Sequence, residues 1–126
     1  MRHVSIRREG DKNMITYVLS GERAKEFCKL ANSLIVTGTA QNFIDYGFTN
    51  HDDPRLYWYR KIKEPDNYEI SFGITIDKKT MKIDDIEILD EHFLQPSFCG
   101  DTEWTQVKKN VQDMIQSGLF TSDFKF

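Results

Sequence analysis

Alternation of apolar and polar residues is strongest in the middle of the chain. Across residues 55–63, Leu56, Trp58 and Ile62 fall on one side, and Arg55, Tyr57, Tyr59 and Lys61 on the other. After Glu64-Pro65-Asp66-Asn67, the residues Tyr68, Ile70, Phe72, Ile74 and Ile76 alternate with Glu69, Ser71, Gly73 and Thr75. A period of two sends successive side chains to opposite faces of a strand, so both stretches predict half-buried strands. Asp77-Lys78-Lys79-Thr80 predicts the turn back. In the next stretch Met81 and Ile83 share one face while Ile86 and Ile88 are out of phase with them. One additional residue near Asp84-Asp85 therefore has to be absorbed, and a β-bulge there restores the register. Near the start, residues 4–8 and 14–19 are β-prone and flank Glu9-Gly10-Asp11-Lys12-Asn13, which predicts a hairpin.

Helical spacing appears in three places. Ser20 caps a predicted helix whose apolar residues Ala24, Phe27, Cys28, Ala31, Leu34 and Ile35 recur at steps of three and four, and Gly38 ends it. Thr39 begins a short second helix with Phe43, Ile44 and Tyr46, closed by Gly47. Asn50-His51-Asp52-Asp53-Pro54 reads as a loop, because Pro54 steers Asp53 away from helical geometry. The irregular stretch 90–100 holds Pro96 and Gly100 as breakers. A last helix then starts at Asp101 or Thr102, carries the stripe Trp104, Val107, Val111, Met114 and Ile115, and stops at Gly118. The tail places Phe120, Phe124 and Phe126 close together, and so apolar a segment is expected to lie against the rest of the protein.

The order β-β-α-(α)-β-β-β-α predicts an α+β fold: an antiparallel sheet of about five strands, with two main helices on one face, in a single domain over residues 1–126. Neither a glycine-rich dinucleotide motif nor a Walker-type phosphate loop is present, which fits the segregation of strands from helices. With 126 residues the chain can withdraw roughly two-thirds of its unfolded surface from water.

Charge narrows the functional classes. The formal net charge of -3 argues against general nucleic-acid or membrane-surface binding, while leaving room for a local basic patch. No apolar run approaches the roughly 20 residues that cross a bilayer, and the first residues lack the apolar core of a secretion signal. Cys28 and Cys99 form neither a redox pair nor a zinc knuckle, so a reducing cytoplasm is expected. Richness in Lys, Ile, Asn, Phe and Tyr points to an AT-rich genome, such as those of many bacteria and phages.

Sorting of charge supplies the first candidate site. Residues 83–107 hold Asp84, Asp85, Glu87, Asp90, Glu91, Asp101 and Glu103 and no Lys or Arg. Such a run creates a negative field that attracts a cationic partner; the competing readings are a solvated strand edge protected by charge, or oxygen ligands for calcium or magnesium. A calcium loop would need a central glycine, which this run lacks. The second candidate is Cys99, placed just before a helix N-terminus, with His92 as base and Asp90 as its orienter. A third would join His51, Asp52 and Asp53 to His92 as a metal centre, although no pair has an established ligand spacing. The fourth is the outward row Arg55, Tyr57, Tyr59 and Lys61, with Arg7 and Arg8 nearby, suited to stacking single-stranded RNA, to a protein interface, or to plain sheet surface.

These readings favour a non-catalytic binding or regulatory module, an accessory or inhibitor protein. It would contact a protein partner through Asp84, Asp85, Glu87, Asp90 and Glu91 and through Tyr57 and Tyr59, with no cofactor and no metal. Association as a homodimer is a further expectation, because the tyrosine face and the Phe-rich tail leave apolar area in excess of what one helical layer covers. The rival classes are a small hydrolase or metal-dependent enzyme using His51, His92 and Cys99, and a single-stranded RNA binder using the strand from Arg55 to Lys61.

Overall fold

In chain order the elements are β1 (Arg2–Glu9), β2 (Lys12–Tyr17), α1 (Glu22–Ser33), β3 (Ile35–Val36), α2 (Ala40–Tyr46), β4 (Thr49–Asp52), β5 (Arg55–Lys63), β6 (Ile70–Asp77), β7 (Lys82–Asp90), α3 (Asp101–Gln116) and β8 (Phe120–Thr121). The computed structural model describes the backbone of residues 2–9, 12–17, 22–52, 54–63, 70–90 and 101–126, and the side chains of 25–50, 54–62, 71–88 and 102–126. Six strands form one sheet in the order β2-β1-β7-β6-β5-β4, and β3 pairs with β8 in a separate two-stranded ribbon. Every pairing is antiparallel. The α+β class and the antiparallel sheet agree with the hydrophobic pattern, and the main sheet is one strand wider than the pattern suggests.

The two periodicities meet in one core. Leu56, Trp58 and Ile62 of β5, Phe72, Ile74 and Ile76 of β6, and Ile86 and Ile88 of β7 are all buried. They join Phe27, Leu30 and Ala31 of α1 and Trp104, Val107, Val111 and Met114 of α3 in a single apolar cluster. Both helices thus lie on the same face of the sheet, as their stripes require. Aromatic rings meet edge to face across this layer: Phe72 contacts Phe27 at 6.2 Å and Trp58 at 5.7 Å between centroids.

The expected bulge occurs where the phase changes. On β6, Thr75 pairs with Asp85 and the next residue, Ile76, pairs with Ile83, so Asp84 is the additional residue. The shift lets Ile83 on one side, and Ile86 and Ile88 on the other, address the same core. The turn before it places Met81 in the left-handed region (φ 53°), where its amide donates to the Asp77 carbonyl at 2.7 Å.

Three elements differ from the pattern. The first helix ends at Ser33, and Ile35-Val36 turn into β3, whose partner β8 lies in the Phe-rich tail. Leu119 and Phe120 are 1% exposed, and the Leu119 carbonyl accepts from the amides of Thr37 and Gly38, so the tail is tied to the end of α1. A hydroxyl pair between Ser33 and Ser122 at 2.6 Å adds to that tie. Asn50, His51 and Asp52, the first part of the loop expected over residues 50–54, join Thr49 in edge strand β4 against β5, with an irregular register between Thr49 and Asp52. By contrast α2 follows its signals closely. The Thr39 hydroxyl accepts from the Asn42 amide at 3.2 Å, the Asn42 side chain accepts from the Thr39 amide at 2.9 Å, and Gly47 ends the helix at φ 132°.

Candidate functional site

The helices leave the opposite face of the sheet uncovered among the described residues, and that face is where two separate sequence candidates meet. On β5 the outward side chains of Tyr57 and Tyr59 are 37% and 55% exposed. Their rings stack with centroids 6.0 Å apart and planes inclined by 22°. Beside them β6 presents Ser71, Gly73 and Thr75, all small. Gly73 is buried although it points away from the helices, because the tyrosines lean over it. A β-carbon at Gly73 would lie 3.3 Å from the Tyr57 hydroxyl and 3.5 Å from Tyr59 Cβ.

Strand register brings the carboxylates to the same face. Tyr57 pairs with Thr75, which pairs with Asp85; Tyr59 pairs with Gly73, which pairs with Glu87. Each tyrosine therefore shares a cross-strand row with one carboxylate, two strand spacings away, or roughly 9.5 Å. The small residues of β6 lie between the tyrosine row and the carboxylates, and the Tyr57 side chain leans into that space over Gly73. Burial, and then the charge of Glu87 with smaller contributions from Tyr59 and Asp85, pushes the Tyr57 hydroxyl above its ordinary pKa.

Not every acidic residue joins this arrangement. Asp84, displaced by the bulge, lies 3.6 Å from the Arg55 guanidinium, with the two side chains 37% and 55% exposed. A pair that open contributes only about 0–1 kcal/mol, but it offsets most of the charge that Asp84 would add to the face. The register also sets Arg7 opposite Asp85 and Arg2 opposite Asp90. Asp85 and Glu87 have further interactions within the fold. The segregation seen along the sequence is thus partly undone by pairing in space. Asp90 closes β7, its side chain lying outside the described residues, as do Glu91, His92 and Cys99.

The remaining candidates gain little from the geometry. His51 sits in edge strand β4, close to where β5 begins; β7 reaches Asp90 beside Ile70, at the other end of the sheet. The His51, Asp52 and Asp53 side chains lie outside the described residues. Among the described residues no group of three or more His, Cys, Asp or Glu side chains could hold a metal ion. A recess of about 350 Å³ between the end of α1, β3 and the β6–β7 turn is walled by Ala31, Leu34, Val36, Met81, Ile83 and Ile86. Among the described residues its lining contains no His, Cys, Asp or Glu. Cys28 is a buried core thiol.

A polar cluster with little signature in the sequence clamps α3 to β5 and α2. Arg60 lies over the Trp58 ring at 5.6 Å and donates from Nη1 to Asn110 Oδ1 at 3.0 Å. Asn110 is 6% exposed, and its Nδ2 has no hydrogen-bond partner. Nearby, the Tyr46 hydroxyl donates to Asp113 at 2.5 Å; burial and this carboxylate hold the phenol far above its usual pKa. Asn110 stands three residues after Val107 and four before Met114, beside the apolar stripe of α3, and one amide at such a position gives no sequence signal.

Among the described residues no helix is long and apolar enough to cross a membrane. Comparison with protein-family models, curated proteins and solved structures returns no match, so a functional reading of this chain stands on the geometry of the sheet face.

Proposed function

We propose that this chain is a non-catalytic binding module that acts by protein–protein contact through the uncovered face of its six-stranded sheet, as an accessory, regulatory or inhibitory protein. One observation carries the reading: Tyr57 and Tyr59 stack in the open on β5 while the helices cover the other face. Exposed tyrosines are effective contact residues, because each offers a large rigid ring with a polar tip and loses little conformational entropy on docking. Asp85 and Glu87 add polar groups to the rim of the same surface. A reducing cytoplasm accords with Cys28 as a buried core thiol outside any disulfide.

The RNA reading uses the same tyrosines, flanked by Arg55 and Lys61. It is the weaker one, because Arg55 is drawn toward Asp84 and two carboxylates stand in the tyrosine rows where phosphates would have to run. Self-association through the tyrosine face is the homodimeric form of the same proposal, and sedimentation at rising concentration would reveal it.

Affinity capture from a lysate of the native host tests the proposal. Proteins retained by the immobilised wild-type chain, and by a Gln112→Ser control on the exposed side of α3, are expected to be lost with the Tyr57→Ser/Tyr59→Ser double variant. Equal retention by all three, or no retention by the wild type, would contradict it.

A further inference from the structure

We infer that the outer edge of β5, where β4 stops short, takes up an extended segment of a partner protein that carries a carboxylate opposite Arg60. This rests on the protein-contact reading above and gives that contact its backbone geometry.

The edge itself follows from strand lengths. β5 has nine residues and β4 four, and the pairing of β4 with β5 ends at Thr49 and Tyr57, whereas β6 accompanies β5 as far as Lys63. Among the described residues no strand continues along Tyr59 and Arg60 on the β4 side. Thr49 Oγ1 donates to the Tyr57 carbonyl at 3.2 Å, so that carbonyl faces β4. Backbone groups alternate in direction along a strand, and those of Tyr59 therefore face the same open side. Open amides and carbonyls at a sheet edge are a template for one more strand: main-chain bonds supply affinity, and alternate side chains supply selectivity.

Arg60 specifies the chemistry. The exposed guanidinium lies over the Trp58 ring at 5.6 Å and donates from Nη1 to Asn110 Oδ1 at 3.0 Å, contacts that orient it while its other N–H donors stay unspent. Among the described residues no carboxylate pairs with it; Asp113, the acid of this cluster, accepts from the Tyr46 hydroxyl. A residue opposite Arg60 on an added strand projects to the same side, its Cβ about 5 Å from that of Arg60, within reach of a carboxylate–guanidinium pair. The residues flanking it fall on the other side, beside the Tyr59 ring. A cationic edge disfavours a purely apolar strand, and a matched carboxylate reverses that penalty.

The test titrates the whole chain with an acetylated Thr-Val-Glu-Val-Thr amide, following the Tyr59 backbone amide and the Arg60 Nε–H by NMR. Comparison probes are the same peptide with Gln or Lys in place of Glu, the Glu peptide N-methylated at both Val residues, and a decauridylate. Saturable shifts at both positions are expected with the Glu peptide, about three- to fivefold weaker binding with Gln, weaker still with Lys, and about tenfold weaker binding after N-methylation, which removes the main-chain donors facing β5. Arg60→Gln should bind the Glu and Gln peptides alike, while Arg60→Lys should keep part of the preference. Circular dichroism verifies that each variant is folded, and the peptide series together with Arg60→Lys stands if Arg60→Gln fails to fold. Equal binding of the Glu and Gln peptides, indifference to N-methylation, preference for the decauridylate, or no shift with any probe would overturn the inference. So would a peptide-free chain that sediments as a dimer with its Tyr59 amide protected, since a second copy would then hold the edge. If those results came while the double tyrosine variant still released a captured partner, strand addition alone would fall. A double tyrosine variant that released nothing would bring down the contact reading instead.

Discussion

Phe72→Ala is expected to lower the free energy of unfolding by about 3–5 kcal/mol, a large share of the roughly 5–15 kcal/mol that holds a domain folded. Phe72 is fully buried on β6, with strands on both sides. Its ring is the meeting point of the layer, edge to face with Phe27 from α1 and with Trp58 from β5. Truncation removes apolar area and leaves a void between sheet and helix, and neither neighbour can collapse into it without leaving its own position. Urea unfolding followed by tryptophan fluorescence would measure the change. A shift of less than about 1 kcal/mol would mean that α1 does not lie on β6 as described.

Gly73→Val is expected to do the opposite: leave stability within about 1 kcal/mol and cost at least about tenfold in affinity for whatever docks on the open face. In the middle of a strand, valine is favoured over glycine, which benefits folding. Its methyl groups, however, would occupy the space over which Tyr57 leans, since even a bare β-carbon comes within 3.3 Å of that hydroxyl. The obstructing atom is the far end of a side chain with open solvent beside it, so the ring swings away at small cost to the fold. The stacked pair is lost in the process. Unfolding midpoints and partner capture, measured on the same preparation, separate the two effects; loss of stability without loss of binding would show that the packing of Tyr57 over Gly73 is merely structural.

Much of the fold was legible because local and global signals agreed. Residues 55–63 alternate cleanly, and the phase break after Ile83 could be located at Asp84-Asp85 before any pairing was known. Thr39 and Gly47 bracket α2 because capping is a local matter. Elements defined by a distant partner were illegible. Thr49-Asn50-His51-Asp52 has no apolar alternation and is a strand because β5 offers it an edge. Ile35 continues the helical spacing of Ala31 and Leu34, yet the chain turns there to pair with Phe120-Thr121; the β-branched run Ile35-Val36-Thr37 was the available sign.

The same distinction governs the site. Tyr57 and Tyr59 were visible as one candidate, and Asp85 and Glu87 as part of another. That they face the same way follows from the register of β5 with β6 and of β6 with β7, including a bulge that changes which carboxylates point outward. Gly73 also left a trace, since a lone glycine in an otherwise strong strand marks close approach by a neighbour. That neighbour is Tyr57, brought over Gly73 by the pairing of β5 with β6.

The most direct test of the account is a thiol footprint of the chain in complex with its captured partner. In a Cys99→Ser background, a cysteine at Lys61 on the outward side of β5 and one at Gln112 on the exposed side of α3 should both alkylate readily in the free chain. In the complex, the account predicts strong protection at position 61 and none at position 112. Protection at 112, with position 61 still reactive, would place the working surface on the helices and contradict the reading of the sheet face.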